Sequence, residues 1–326
     1  MSSTGLAHAS TPAGSVQASA DFETALQSYQ NGDVSRALRL AKAAAQAGST
    51  DAGVLAGHIL RTGEAGTPDV RAAREFYELA ARRGHPDALV ALGEMALNGQ
   101  AGLTDADAQV YLTRASEAGR VDATRALAEM ARTGRGTSKS LEAERDLLGK
   151  ASASFDAEAT KRLADTYYET NAPKALSLYE DAARAGHAEA AYVAGVMYAT
   201  NFDIRPDEDK SAHWLGVAAK AGHAAAQADY GLLVYQGVGG LSRSESEAAK
   251  WFRLSAQGGD TEGMFLYAFT LAKGEGVEQD FGEAYYWLLK SGESTVDEYQ
   301  SDRATLRERL EANVDPDVLA AARARL

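Results

Sequence analysis

Three histidines recur at the same place in a repeating pattern and are the first candidates for chemistry. His85, His187 and His223 each directly follow a glycine. Imidazole nitrogens bind zinc when other His, Cys or carboxylate ligands lie close by. If each histidine belongs to its own pair of helices, neighbouring positions lie roughly 10 Å apart, which is too far to share one metal ion. We therefore expect these histidines to be structural, with no metal site.

Other motifs for chemistry are incomplete. The acidic segment NFDIRPDEDKS, residues 201–211, contains carboxylates but lacks the D-x-[DN]-x-[DN]-G order of a calcium loop, so we expect a solvated turn. The glycine-containing segments GEGVEQD and RTGRGTSKS lack the G-K-[ST] ending of a phosphate-binding loop. The chain also contains no G-x-S-x-G nucleophile motif. The sequence predicts a protein that is not an enzyme and that uses no cofactor.

Three tryptophans, Trp214, Trp251 and Trp287, could form an aromatic ladder for sugars or peptides. They occupy the same position of a repeated pattern as Phe76 and Tyr111. Large aromatic side chains at such a position usually fill the interior between helices. We favour packing as their role over ligand binding.

The pattern that holds these residues is a repeat. A glycine, here called the anchor, follows an Ala-rich run at Gly48, Gly84, Gly119, Gly186, Gly222 and Gly259, and Phe155 fills the one gap. The steps between anchors are 36, 35, 36, 31, 36 and 37 residues. Small residues recur four and nine positions after each anchor, and a bulky apolar residue recurs eight positions before it. Such self-similarity is typical of a solenoid.

Each repeat predicts two helices. After an anchor, segments such as HAAAQADYGLLVYQG place apolar and small residues at helical intervals, which predicts a helix A. A glycine-containing turn follows in most repeats. Segments such as EAAKWFRLSAQGG then predict a helix B that ends at the next anchor, with its bulky residue facing inward. Neither helix can bury its apolar stripe alone, so neighbouring pairs must stack.

The composite pattern A-x-x-W-x-x-x-A-A-x-x-G-H-x-x-A-x-x-x-L-G-x-x-Y-x-x-G-x-G-V resembles the Sel-one-like repeat (SLR), a bacterial relative of the tetratricopeptide repeat. The best matches lie at residues 248–251, 222–235 and 274–277, and the resemblance covers residues 21–292. It implies an all-α, right-handed α/α solenoid of about seven to eight helix pairs that binds proteins without catalysis. The repeat from Asp156 to Gly186 is shorter and lacks the glycine turn, so we expect a tighter, tetratricopeptide-like pair there.

The ends of the chain depart from the repeat. Residues 1–20 carry no charged side chain other than His8, and we expect a flexible leader there. Residues 293–326 break the period and carry more charge, which predicts capping helices, the last of them beginning near Asp315 and Pro316. The predicted domains are therefore the leader 1–20, the solenoid 21–292 and the cap 293–326.

Charge and composition narrow the class of partner. The net charge of −13 and the absence of a basic stripe argue against nucleic acid. No apolar run approaches the roughly 18 residues of a membrane span. The chain has no cysteine, so disulfides and thiolate sites are excluded.

The leader carries a small-x-small motif, Ala7-His8-Ala9, of the form that signal peptidases cleave, but only six residues precede it. The given start could lie inside a longer reading frame, the chain could be trimmed, or the match could be accidental. With the family resemblance, the motif favours the bacterial periplasm, and the cytoplasm is the alternative.

The remaining candidate for function is the surface. The resemblance implies that the A helices line the concave side and contact the partner. Tyr167, Tyr168 and Tyr235 lie near the ends of A helices, and tyrosine is favoured in protein interfaces. We expect Tyr168 and Tyr235 to be the better candidates, and Tyr198 to belong to the core. The expected function is a scaffold in exopolysaccharide assembly, surface signalling or polar localisation, and the alternative is a solenoid that binds a carbohydrate polymer.

Overall fold

The computed structural model describes residues 13–201, 203–292 and 299–326. These residues form eighteen α-helices and one short 3-10 helix, Gln100–Gly102, with no β-strand among them. The α-helices are α1 Ala13–Gln30, α2 Val34–Gln46, α3 Thr50–Thr62, α4 Val70–Arg82, α5 Pro86–Leu97, α6 Asp105–Glu117, α7 Val121–Thr133, α8 Leu141–Ala153, α9 Ala157–Asp165, α10 Ala172–Arg184, α11 Ala188–Thr200, α12 Glu208–Lys220, α13 Ala224–Gln236, α14 Glu245–Gln257, α15 Thr261–Lys273, α16 Phe281–Lys290, α17 Gln300–Asn313 and α18 Pro316–Arg323.

The helices divide between two compact units. The first unit ends at Ser154 and contains α1 to α8, and the second begins at Phe155 and contains α9 to α18. Within each unit, odd-numbered helices up to α15 are A helices and even-numbered helices up to α16 are B helices. Within the first unit each helix packs against the next one along the chain, as do α9 to α17 in the second unit, where α18 packs against α16. The expected all-α solenoid of helix pairs is therefore confirmed.

Polar side chains set where the B helices begin. Residues with short side chains and an acceptor oxygen cap all eight, and each accepts a hydrogen bond from the backbone N–H three residues on: Asp33, Asp69, Thr104, Ser140, Asn171, Asp207, Ser244 and Asp280. Such a cap satisfies an N–H that has no partner within the helix, and its loss typically costs about 1 kcal/mol. Asp207 is such a cap, so part of the acidic segment 201–211 has a structural role.

The anchor glycines end the B helices. Gly84 has a φ of 81°, and its own N–H and that of His85 return to the carbonyls of Ala81 and Ala80 in the last turn of α4. This left-handed conformation carries little strain in glycine, because glycine has no Cβ. The other five anchor glycines also have a positive φ. Phe155 takes the same conformation with a φ of 62° and is 93% exposed.

The small residues of the A helices lie against the B helix of the same repeat. A Cβ added to Gly57 would stand 2.8 Å from the Tyr77 ring. The equivalent distances are 2.5 Å from Gly93 to Leu112 and 2.7 Å from Gly231 to Phe252. Real Cβ atoms essentially never come so close. The repeat therefore places a bulky side chain of helix B where only hydrogen or a very small group fits on helix A.

This geometry refines the predicted inward column. The bulky residues eight positions before the anchor were expected to face the interior; Trp214 and Trp287 are buried, whereas Phe76, Tyr111 and Trp251 are half-buried. The most deeply buried residues come one position later: Tyr77, Leu112, Leu148, Tyr179, Leu215, Phe252 and Leu288. Two adjacent bulky positions share the buried face of helix B.

The termini differ from the predicted boundaries in one respect. Helix α1 begins at Ala13, inside the stretch 1–20 that was expected to be a flexible leader, while residues 1–12 lie outside the described residues. At the other end, α18 begins at Pro316 with Asp315 as its N-cap, as the sequence predicted. Arg303 of α17 donates to the carbonyl of Thr261, and its guanidinium lies 5.2 Å from the Phe265 ring, so α17 contacts the last A helix.

The short repeat also matches its prediction. Helix α9 has 9 residues, whereas α7 and α11 have 13. The connection to α10 is closed by Asn171, whose side chain accepts from the N–H of Lys174, instead of by glycines.

Gly93→Ala tests the close contact between helices A and B. We expect the variant to lower the free energy of unfolding by about 1–3 kcal/mol, because the new methyl group overlaps Leu112. Gly149→Ala in α8 is the matched control, since no described atom of another helix lies within 4 Å of its added Cβ. The control should be neutral or raise the free energy by up to about 1 kcal/mol. Urea unfolding measures both, and equal effects would contradict the contact.

Phe155→Gly tests the anchor position. Glycine adopts the left-handed conformation without the strain of a Cβ, so we expect the variant to raise the free energy of unfolding by about 0.5–1 kcal/mol. The reverse change at an ordinary anchor, Gly84→Phe, should lower it by a similar or larger amount. Thermal unfolding of both variants is the measurement, and a destabilised Phe155→Gly variant would mean that the exposed ring has a stabilising contact.

Candidate functional site

The three histidines cap A helices and link neighbouring repeats. Nδ1 of His85, His187 and His223 accepts a hydrogen bond from a backbone N–H in the first turn of α5, α11 and α13 respectively. Nε2 of His85 lies 2.9 Å from Asp51 of the preceding A helix, and Nε2 of His187 lies 3.0 Å from Glu158. His223 instead stacks on Tyr192, with ring centroids 4.5 Å apart. The described residues contain no group of three or more His, Asp or Glu arranged to hold a metal.

The exposed sides of neighbouring A helices form a groove in each unit. In the first unit a groove of about 440 Å³ runs along α1, α3 and α5; it is called the first groove here. Its apolar residues are Phe22, Leu26, Val54, Leu55, Tyr77, Val90 and Ala91. Its ionisable residues are Asp51, His58, Arg61, His85, Asp87, Glu94 and Arg120.

The second unit carries a corresponding groove of about 420 Å³ between α9 and α11, called the second groove here. Its charged residues are Lys161, Asp165, Glu169 and Glu189. Its other residues are Tyr168, Tyr179, Tyr192, Val193 and Val196. Both grooves are open depressions with apolar residues and charges around them, which suits recognition of a protein surface more than enclosure of a small molecule.

The tyrosine candidates occupy three different settings. Tyr168 is 38% exposed, lines the second groove and packs edge-on against Tyr179 at 6.4 Å. Tyr167 is half-buried, with Lys174 Nζ 3.9 Å from its ring centroid. Tyr235 is half-buried and donates from its hydroxyl to Glu275 over 2.8 Å. The structure therefore brings Tyr168 into a groove, while Tyr167 and Tyr235 do not line it.

The tryptophans lie among the B helices. Trp214 and Trp287 are buried, and Trp251 is half-buried against the Tyr230 ring. The indole N–H of Trp287 donates to Glu283 over 2.8 Å, and that of Trp214 to Glu180 over 3.3 Å. Tyr198, expected in the core, is also buried.

Sequence reasoning missed a half-buried carboxyl group on the A helices of the second unit. Asp229 of α13 has a pKa raised to about 6, mainly because burial disfavours its charged form and further because of the nearby negative charge of Asp260. The hydroxyl of Tyr192 donates a hydrogen bond that partly opposes this rise. Burial and these carboxylates together raise the pKa of Tyr192 to about 12. In the sequence, Asp229 is a single acidic residue at a helix position that faces inward. Nothing in the sequence distinguishes it from an exposed aspartate.

Another cavity, of about 780 Å³, lies between α16 and α17 and includes Leu288, Leu289, Arg303 and Arg307. It borders Gly292, directly before residues 293–298, which lie outside the described chain. Among the described helices, none is both long and apolar enough to cross a membrane.

Comparison with known families gives a match over most of the chain. The sequence model described as the Sel1 repeat matches residues 18–49, 54–85, 86–119, 162–187, 188–223, 224–260 and 261–295. The unmatched stretch 120–161 holds α7 and α8, which nevertheless have the 13-residue length of most helices in the other pairs. No curated protein matches the chain.

The chain is also similar to solved structures. A Sel1 repeat protein from Oxalobacter formigenes is 23% identical, with a TM-score of 0.74 over 91% of this chain and 88% of that one. The protective antigen c5321 of uropathogenic Escherichia coli, described with an SLR fold, is 20% identical, with a TM-score of 0.45 over 94% and 82%. The immunity protein Pa5087 of Pseudomonas aeruginosa is 19% identical, with a TM-score of 0.35 over 70% and 83%.

Asp229→Asn tests the buried carboxyl group. Because the folded state raises this pKa from 3.8 to about 6, folding binds a proton between these values, and the free energy of unfolding falls as the pH rises through that window. The variant removes the free-energy cost of burying the ionised carboxylate. It should therefore be more stable than the parent by about 1–3 kcal/mol at pH 7.5 and by much less at pH 4.

Urea unfolding at the two pH values measures the difference. The exposed carboxylate of Glu308 provides the control, since Glu308→Gln should shift the free energy little at either pH. An Asp229→Asn effect that is the same at pH 4 and pH 7.5 would contradict the raised pKa.

Proposed function

The chain belongs to the Sel1 repeat family, and we propose that it is a non-catalytic scaffold that binds other proteins through the exposed side of its A helices. Sel1 repeat proteins generally mediate protein–protein interactions. The finer assignment to this surface rests on one observation: each unit presents an open groove between adjacent A helices. By the family resemblance, this is the concave side of the solenoid.

The packing of the repeat supports this choice of surface. Helix B takes up the small-residue face of helix A within each repeat, as at Gly93 and Leu112. The opposite side of helix A is left for side chains that the packing does not dictate. A rigid backbone with variable exposed side chains lowers the entropy cost of binding a partner.

We place the scaffold in a bacterial cell envelope, with the periplasm as the compartment and the cytoplasm as the alternative. The Ala7-His8-Ala9 motif and the family resemblance support this placement. Roles in exopolysaccharide assembly, signalling control or polar localisation all require a protein partner. A carbohydrate polymer held in a groove by tyrosines and carboxylates is the competing ligand.

Affinity capture tests the proposal. The tagged chain is expressed from its native locus, lightly cross-linked in cells and purified, and its partners and N-terminus are identified by mass spectrometry. A stoichiometric envelope protein supports the scaffold and its placement. Cytosolic partners with an intact Met1 would overturn the placement alone, and a glycan without any protein would overturn the scaffold.

Alanine substitution of Tyr168 and Tyr235 tests the surface. We expect the double variant to bind the captured partner about tenfold more weakly, because it removes two large side chains, Tyr168 from the turn after α9 and Tyr235 from α13. Val110 and Leu254, which are 58% and 41% exposed on B helices, give the matched control Val110→Ala/Leu254→Ala. Titration by calorimetry measures both variants, and equal affinities would contradict binding on the A helices.

A further inference from the structure

The two grooves use the same positions of the repeat, so their side chains can be compared one by one. Arg61 and Tyr168 both lie thirteen residues after an anchor position, Gly48 and Phe155 respectively. On the neighbouring A helix, Glu94 and Val196 both lie ten residues after an anchor. The repeat therefore provides two versions of one surface, with different chemistry.

In the first groove, opposite charges are paired. Arg61 Nη1 lies 3.1 Å from Glu94 across the two A helices. Arg120 forms an ion pair with Asp87, and His85 contacts Asp51. The lining contains three carboxylates together with two arginines and two histidines. A charged ligand gains little from a surface whose charges already have partners.

In the second groove, Tyr168 and Val196 occupy the repeat positions that Arg61 and Glu94 hold in the first groove. Its lining contains three carboxylates and a single base, Lys161. Lys161 Nζ is shared between Asp165 at 3.3 Å and Glu189 at 3.0 Å. Glu169 is exposed at the rim. The second groove is therefore negative where the first is close to neutral.

A hydrogen bond from a tyrosine of helix α10 fixes the position of the Asp165 carboxylate. The hydroxyl of Tyr179 donates to it over 2.7 Å, and burial together with this hydrogen bond raises the pKa of Tyr179. Tyr179 therefore keeps its proton and remains a donor. The preorganised carboxylate adjoins apolar surface from Val193 and Val196 and the exposed ring of Tyr168.

This combination suits one kind of side chain. Lysine and arginine carry an apolar stem that packs on valine and tyrosine, and a cationic head that bonds carboxylates and interacts with aromatic faces. We propose that the second groove binds a Lys- or Arg-containing exposed segment of a protein partner. The proposal rests on the proposed scaffold function and names the chemistry of the partner. The net charge of −13 would also accelerate the encounter with a basic segment.

A titration of the full chain followed by methyl NMR tests the proposal. The chain is labelled at valine methyl groups, so that Val193 and Val196 report on the second groove and Val90 on the first. The probe is the peptide GSLRGSLKGSLR, compared with GSLQGSLQGSLQ and GSLEGSLEGSLE. We expect the basic peptide to shift Val193 and Val196 but not Val90, at least fivefold more tightly than the neutral peptide, with affinity falling as salt rises.

Isosteric variants separate charge from shape. Asp165→Asn/Glu169→Gln removes two negative charges and leaves an acceptor for Tyr179, and we expect it to weaken the basic peptide about fivefold. Asp87→Asn/Glu94→Gln removes the same charge from the first groove and should leave the affinity unchanged. If the first double variant fails to fold, Glu169→Gln alone, at an exposed position, should still weaken binding about twofold.

Three results would overturn the proposal: no shift of Val193 and Val196, equal affinity for the three peptides, or no effect of the charge variants. Binding of the captured partner to these variants distinguishes a failure of the basic-segment proposal from a failure of the scaffold function. A partner whose binding ignores Asp165→Asn/Glu169→Gln overturns the basic-segment proposal and leaves the scaffold. If no protein partner is captured, the scaffold fails, and the peptide titration still decides the chemistry of the groove.

Discussion

The close approach of helix A to helix B within each repeat is the constraint on which the structure depends. At Gly57, Gly93 and Gly231, a bulky side chain of helix B stands where a Cβ of helix A would be. Dense packing of this kind leaves little freedom in the distance or rotation between the two helices. The anchor glycines then turn the chain at the end of helix B, so the next pair begins with a defined direction.

This packing also explains why the A helices carry the variable surface. One side of each A helix is committed to small residues, so differences between repeats concentrate on the other side. The pair Arg61 and Glu94 in one unit corresponds to Tyr168 and Val196 in the other, while a buried tyrosine, Tyr77 or Tyr179, holds the same repeat position beneath each groove. A repeat fold can therefore change what it binds without changing how it folds.

The sequence predicted the repeat well because its period and its small residues reflect backbone contacts. It placed the ends of the B helices, the short repeat and the start of the last capping helix correctly, and it placed the start of α1 too late. It did not identify the second, more deeply buried column one residue later, since Phe76 and Tyr77 are both bulky and only the geometry separates them. The grooves could not be predicted, because residues such as Lys161 and Glu189 come together from different helices. The raised pKa of Asp229 could not be predicted either, because it depends on burial.

Hydrogen exchange of the chain with and without its captured partner shows which helices the partner contacts. We expect added protection in peptides that cover the A helices α9 and α11, with little change in the B helices α10 and α12. Protection confined to α10 and α12 would contradict the claim that the A helices form the binding surface.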